Sequence, residues 1–194
     1  MRILGVVGSL RAGSHNRRLL RAAAHELPPG VELEIFEGLK QVEPFDETDE
    51  HELGGGLPGA DAFINAIRDA DAVLFVTPEY NGSIPGVLKN AVDWASRPTP
   101  ATSPLAGKPV AVIGASTGMF GAVWAQAELR KALGLAGARV LDHEVPVPTA
   151  HEAFHEDGRL NRGGTRGRLR EVLTDLVSQA SLRTADSAGR DLVS

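Results

Sequence analysis

The residues best able to do chemistry begin with Gly8-Ser9-Leu10-Arg11-Ala12-Gly13-Ser14-His15-Asn16, which lies between the apolar run Ile3-Leu4-Gly5-Val6-Val7 and a helical pattern. Two glycines permit a tight turn and a close approach of backbone to a ligand. The start of the following helix offers unpaired N–H groups at the positive end of its dipole. Ser9, Arg11, Ser14 and Asn16 add side-chain donors, and a guanidinium suits phosphate because it can form two parallel hydrogen bonds. These features describe an anion cradle. Gly8 and Gly13 have the glycine spacing of a nucleoside-triphosphatase loop, but Ser14 stands where that loop needs lysine, and the dinucleotide pattern G-x-G-x-x-G is absent. A terminal monophosphate is the anion that fits.

A second stretch, Pro78-Glu79-Tyr80-Asn81-Gly82-Ser83-Ile84-Pro85-Gly86, follows the continuous apolar run Ala72-Val73-Leu74-Phe75-Val76. Its prolines and glycines fix a loop whose backbone amides can face a flat heterocycle. A third, Ala115-Ser116-Thr117-Gly118-Met119-Phe120-Gly121, follows Val110-Ala111-Val112-Ile113-Gly114. A competing motif, His151-Glu152-Ala153-Phe154-His155, matches H-E-x-x-H, which on a helix can place two imidazoles on zinc. Pro146 and Pro148 before it and Asp157-Gly158 after it predict a surface turn instead, so no metal is expected.

These loops need a scaffold, and the apolar pattern supplies one. Helical spacing appears at Leu19, Leu20, Ala23 and Leu27, at Phe63, Ile64, Ile67 and Ala70, at Val87, Leu88, Ala91, Val92 and Trp94, and at Val123, Trp124, Ala127 and Leu133. Val31 to Phe36 alternates as a strand, and Ala138-Arg139-Val140-Leu141 reads as a fifth. Strands alternating with helices imply right-handed crossovers and an α/β doubly wound parallel sheet. Ligands in such sheets bind beyond the carboxyl ends of the strands, where the three loops can converge. A last helix carries Leu169, Val172, Leu173, Leu176, Val177 and Ala180 as one stripe. The acidic stretch Glu37 to Ala60 reads as a solvated loop without EF-hand spacing, and the arginines at 159, 162, 166, 168 and 170 as a solvated helix start.

Composition narrows the function. The 194 residues are 42% apolar and 23% charged, enough for one sizeable core, so residues 1–183 are expected as one domain and 184–194 as a flexible tail. The absence of cysteine excludes disulfides, thiolate metal sites and thiol redox chemistry. A net charge of −5 offers no general attraction to nucleic acid or anionic membrane, and no apolar stretch is long enough to span a bilayer. The strand that starts directly after Met1-Arg2, without a basic leader, predicts a cytoplasmic protein.

Together, Gly8-Ser9-Leu10-Arg11-x-Gly13-Ser14-x-Asn16, Pro78-Glu79-Tyr80-Asn81-x-Ser83-Ile84-Pro85-Gly86-x-Leu88-Lys89-Asn90-Ala91-x-Asp93-Trp94 and Gly107-Lys108-Pro109 make the chain resemble the NADPH-dependent FMN reductases, a family that includes quinone, chromate and azo-dye reductases. The resemblance covers about Met1 to Val140. It implies a flavodoxin-like sandwich with a five-stranded parallel sheet, with Ser9, Arg11, Ser14 and Asn16 on the FMN phosphate. Pro78, Glu79, Tyr80 and Asn81 would contact the ribityl chain and isoalloxazine, beside Gly82, and Ser116, Thr117 and Gly118 would complete the ring pocket. Gly82 replaces a bulky residue of some members and implies a more open site. The implied reaction passes hydride from NADPH or NADH to FMN and electrons on to a quinone, chromate, azo compound or flavin; the rival reading is a flavodoxin-type electron carrier. No side-chain acid or base is assigned. The apolar arc of Val87, Leu88, Val92 and Trp94 needs a second partner on this reading, and a homodimer with the flavin near its interface, or a tetramer, is expected.

Overall fold

The protein, seen here as a computed structural model, is described over residues 1–49, 56–161 and 163–191, with side chains as far as Arg183. Eleven elements place the three loops: β1 (Arg2–Val7), α1 (His15–Ala24), β2 (Glu32–Phe36), α2 (Pro58–Asp69), β3 (Ala72–Thr77), α3 (Gly86–Ala95), β4 (Pro109–Ala115), α4 (Val123–Leu135), β5 (Arg139–Val140), β6 (Pro146–Val147) and α5 (Gly163–Asp191). The strands form one parallel sheet in the order β2-β1-β3-β4-β5, with β6 also on β4. This is the doubly wound, flavodoxin-like arrangement that the alternating pattern predicts.

Central strands are apolar on both faces because both are covered. Leu4, Val6, Val73, Phe75, Val110 and Val112 meet α2, α3 and α4 in one core, while Ile3, Ala72, Leu74, Val76, Ala111 and Ile113 meet α1 and α5 in the other. Arg166 and Arg170 from the arginine run hold the buried carboxylate of Glu26 at 2.6 Å each, tying α5 to the end of α1; Arg162 lies outside the described residues. Helical backbone continues to Asp191 where a loose tail is expected from residue 184, and 192–194 lie outside the described residues.

Elsewhere the chain departs from the sequence reading. The fifth strand is split, β5 pairing with Pro109 and Val110 and β6 with Gly114 and Ala115. Between them the buried Gln126 of α4 takes over from the ladder: its Oε1 accepts from Val145 N at 3.2 Å while its Nε2 donates to Gly121 O at 3.1 Å. The acidic stretch before α2 is anchored rather than solvated. Leu39 and Val42 are buried, Phe45 meets the Trp94 ring edge-on at 4.9 Å, and the Glu43 carboxylate accepts from Gly59 N and Ala60 N at the start of α2. Burial opposes the charge on Glu43, but these amides hold its carboxyl below the usual range. The positions of Glu50, Glu52, Gly54 and Gly55 lie outside the described residues.

At the other end of α2, the fully buried Lys108 donates from Nζ to Ala70 O at 2.5 Å and Arg68 O at 3.1 Å. Burial pushes its ammonium down to about 8. The apolar arc of α3 is also absorbed within the chain: Leu88, Val92 and Trp94 are at most 4% exposed, with Val87 alone at 37%. That arc therefore supplies no reason for a second subunit.

Candidate functional site

The three loops meet at the switch point of the sheet, where β1 leads to α1 on one face and neighbouring β3 leads to α3 on the other. Gly8 N donates to Val76 O at 2.9 Å, and a Cβ on Gly8 would stand 2.8 Å from Leu88 Cδ2 and 3.2 Å from Pro78 Cδ, so a side chain here would crowd both where the first two loops close on each other. Gly13 has no such restriction, since its Cβ would meet Arg11 Nη1 at an ordinary 3.8 Å.

One cleft of about 160 Å³ is lined by Ser9, Arg11, Ser14, Asn16, Pro78, Glu79, Tyr80, Ser116 and Thr117, together with His15 and Ala115. Asn81, Gly82 and Gly118 are outside that lining. Ser14 caps α1, its Oγ accepting from Asn16 N at 3.2 Å. Ser9 is 5% exposed, and its Oγ stands 3.5 Å from the Tyr80 hydroxyl. Asn16 has a structural engagement within the fold. Its Nδ2 donates to Ala115 O and its Oδ1 accepts from Ala115 N, both at 2.9 Å, so this amide fixes the start of α1 against the end of β4. Glu79 also has a structural engagement: Oε2 accepts from Trp124 N at 3.0 Å and Ala125 N at 3.1 Å, capping α4.

His15 was not singled out by residue type, although its place between Ser14 and Asn16 could have drawn attention. Its Nδ1 is buried and lacks a hydrogen-bond partner among the described residues. Burial, then the charges of Arg11, Arg18 and His151, push its pKa below the ordinary histidine value. A helix N-terminus, an exposed guanidinium, buried hydroxyls and an unpartnered imidazole nitrogen together suit an anion. The H-E-x-x-H segment lies nearby in turns, with both imidazoles exposed, and no helix aligns them. Among the described residues no group of three or more His, Cys, Asp or Glu side chains could hold a metal.

Beyond the cleft the surface is apolar. Tyr80 is 51% exposed, Met119 81%, Phe120 59% and Trp124 52%, and the Phe120 and Trp124 rings are 4.9 Å apart. Asn81 and Gly82 have φ of 54° and 75°, the left-handed pair that a tight two-residue turn requires.

A mononucleotide-binding domain of flavodoxin type is the class that this sheet and cleft define. Residues 1–152 match the NADPH-dependent FMN reductase family. The chain is 42% identical over 177 residues to an NAD(P)H-dependent FMN reductase of Pseudomonas aeruginosa, covering 91% of this chain and 93% of that one. It is 37% identical over 142 residues to a quinone reductase of Escherichia coli, covering 73% and 74%. The solved flavoenzyme FerB of Paracoccus denitrificans, an NAD(P)H:(acceptor) oxidoreductase, superimposes with a TM-score of 0.78 at 30% identity over 93% of this chain and 97% of that one. The chain belongs to the NADPH-dependent FMN reductase family. Its cleft, with the start of α1, the Arg11 guanidinium and the buried hydroxyls of Ser9 and Ser14, fits FMN.

Proposed function

We propose that this chain is an FMN-dependent oxidoreductase that oxidises NADPH or NADH and reduces a small molecule, with a quinone, chromate, azo compound or flavin as acceptor. The observation that carries the reading is the convergence of all three strand-terminal loops on one cleft, with Ser9, Arg11 and Ser14 at the start of α1 among its lining. FMN, when bound, supplies two-electron transfer at its ring. The protein supplies placement. Ser9, Arg11 and Ser14 would hold the phosphate with the first amides of α1, Asn16 would position that turn, and Pro78 to Gly82 with Ser116 to Gly118 would line the ribityl chain and ring. No side-chain acid or base is needed in this account.

A cleft of about 160 Å³ is smaller than the roughly 300 Å³ at which ligand pockets begin, so it encloses one end of the cofactor only. The exposed Tyr80, Met119, Phe120 and Trp124 beside it are suited to a second copy that completes the outer wall, which supports a homodimer. No helix among the described residues is long and apolar enough to cross a membrane.

Anaerobic stopped-flow of the FMN-loaded protein with each nucleotide, followed by a panel of acceptors, tests the assignment. Rapid bleaching by at least one nucleotide and reoxidation by a quinone are expected. Flavin that binds but is not reduced by either nucleotide would make the chain a flavodoxin-type carrier instead.

A further inference from the structure

The turn at Asn81 and Gly82 is closed by two backbone hydrogen bonds, Tyr80 N to Ser83 O at 3.0 Å and Ser83 N to Tyr80 O at 3.1 Å. A lone two-residue hairpin is marginal in water, so closing the turn does not fix where it points. Ile84, buried in the core, anchors one side of it, and α4 holds both sides. Glu79 is bound to the first amides of that helix, as described above. At the other end of the turn, Glu128 Oε2 accepts from Ser83 Oγ at 2.7 Å and Ile84 N at 3.3 Å. Residues 79–84 are therefore fastened to α4 on both sides of the turn, at anchor points about one helical turn apart. The cap explains Glu79. Nothing in the packing of α4 requires Glu128, whose side chain is exposed.

We propose that Glu128 is a positioning residue for the flavin-facing turn: by holding Ser83 and Ile84 it aims the backbone amides of Asn81 and Gly82, and through them it sets the reduction potential of bound FMN. The inference rests on the FMN reading above. Oriented amides stabilise charge on the reduced ring only while their dipoles keep their direction, and a turn released at one end loses part of that alignment. The Glu128 charge itself is exposed to solvent and screened, so its effect passes through geometry.

Two measurements separate the possibilities. Amide hydrogen exchange on the flavin-free protein reads the turn directly. Glu128→Ala should speed exchange across residues 80–84 about tenfold while Leu129 to Leu133 stay protected, and Glu128→Gln, which keeps an acceptor oxygen, should remain near wild type. Spectroelectrochemical titration of the FMN-loaded protein then reads the consequence. Glu128→Ala should weaken the preference for reduced over oxidised FMN about tenfold, a shift of about 30 mV for a two-electron couple, and Glu128→Gln should restore most of it. Unchanged exchange in the alanine variant overturns the positioning role, and equal shifts in both variants overturn it in favour of a direct charge effect. A wild-type protein that retains no FMN defeats the flavin reading and with it the claim on the potential, while the exchange experiment still decides whether Glu128 holds the turn.

Discussion

The two ends of the candidate site are built by different means. At the phosphate end the groups are local in sequence, Ser9 to Asn16, and mostly buried, with Ser14 capping the helix whose amides it presents. At the ring end the loop after β3 is braced against a distant helix, its own Glu79 reaching the first amides of α4 and Glu128 of α4 reaching back to the turn, while aromatic side chains stand in solvent. A small anion with fixed geometry can be met by one preformed turn. A flat ring that must also admit nucleotide and acceptor in succession is better served by an open face whose backbone is braced elsewhere.

If that division is right, damage at the two ends should read out in different quantities. The largest effect is expected from Arg11→Ala, which removes a charge-assisted hydrogen bond worth ~1.5–3 kcal/mol and should weaken FMN binding about ten- to a hundredfold while leaving riboflavin binding nearly unchanged. Equal affinity of the wild type for FMN and riboflavin in a fluorescence titration would remove the phosphate end from the comparison. Glu79→Ala comes next. Loss of the α4 cap should cost ~1 kcal/mol of stability in chemical denaturation, and quinone turnover should fall about fivefold with a smaller change in FMN affinity than Arg11→Ala produces. The smallest effect is expected outside both ends, at the exposed His151 and His155. Replacing both with alanine should leave turnover nearly intact and stability within ~0.5 kcal/mol, and tight zinc at one per chain, lost together with activity in the double variant, would contradict this.

The inner lining of the cleft is legible in the sequence because its geometry is local: a strand, two glycines, donors and a helix start occur within one short stretch. The sheet was legible for a similar reason, since runs such as Ala72 to Val76 are apolar on both faces only where helices cover both. Long-range partnerships were not. The double hydrogen bond of Asn16 to Ala115 and the clasp of Glu128 on Ser83 join residues far apart, and nothing near either residue announces its partner. The anchoring of the segment before α2 is invisible in the sequence because Glu43 looks like any acidic loop residue until Gly59 and Ala60 are brought to it. In α3 the apolar arc is plain from the sequence, but its cover, Phe45 and the backbone of Glu43, which receives Trp94 Nε1 at 2.8 Å, comes from a segment far away along the chain.

The buried Lys108 makes the fold a proton-linked one at alkaline pH. Its amine gives up a proton at about 8 in the folded chain, against 10.5 for a freely solvated lysine, so between these values the unfolded chain binds one more proton at this position. Stability must rise with pH across that window, because the cost of burying a charged ammonium disappears as the folded amine becomes neutral. The helix end loses little in the exchange: a neutral amine still has two hydrogens, one for Ala70 O and one for Arg68 O. Denaturation curves collected from pH 7 to 10 should therefore climb for the wild type relative to Lys108→Met, whose side chain cannot titrate. Parallel curves for the two proteins would mean that the amine keeps its proton in the fold.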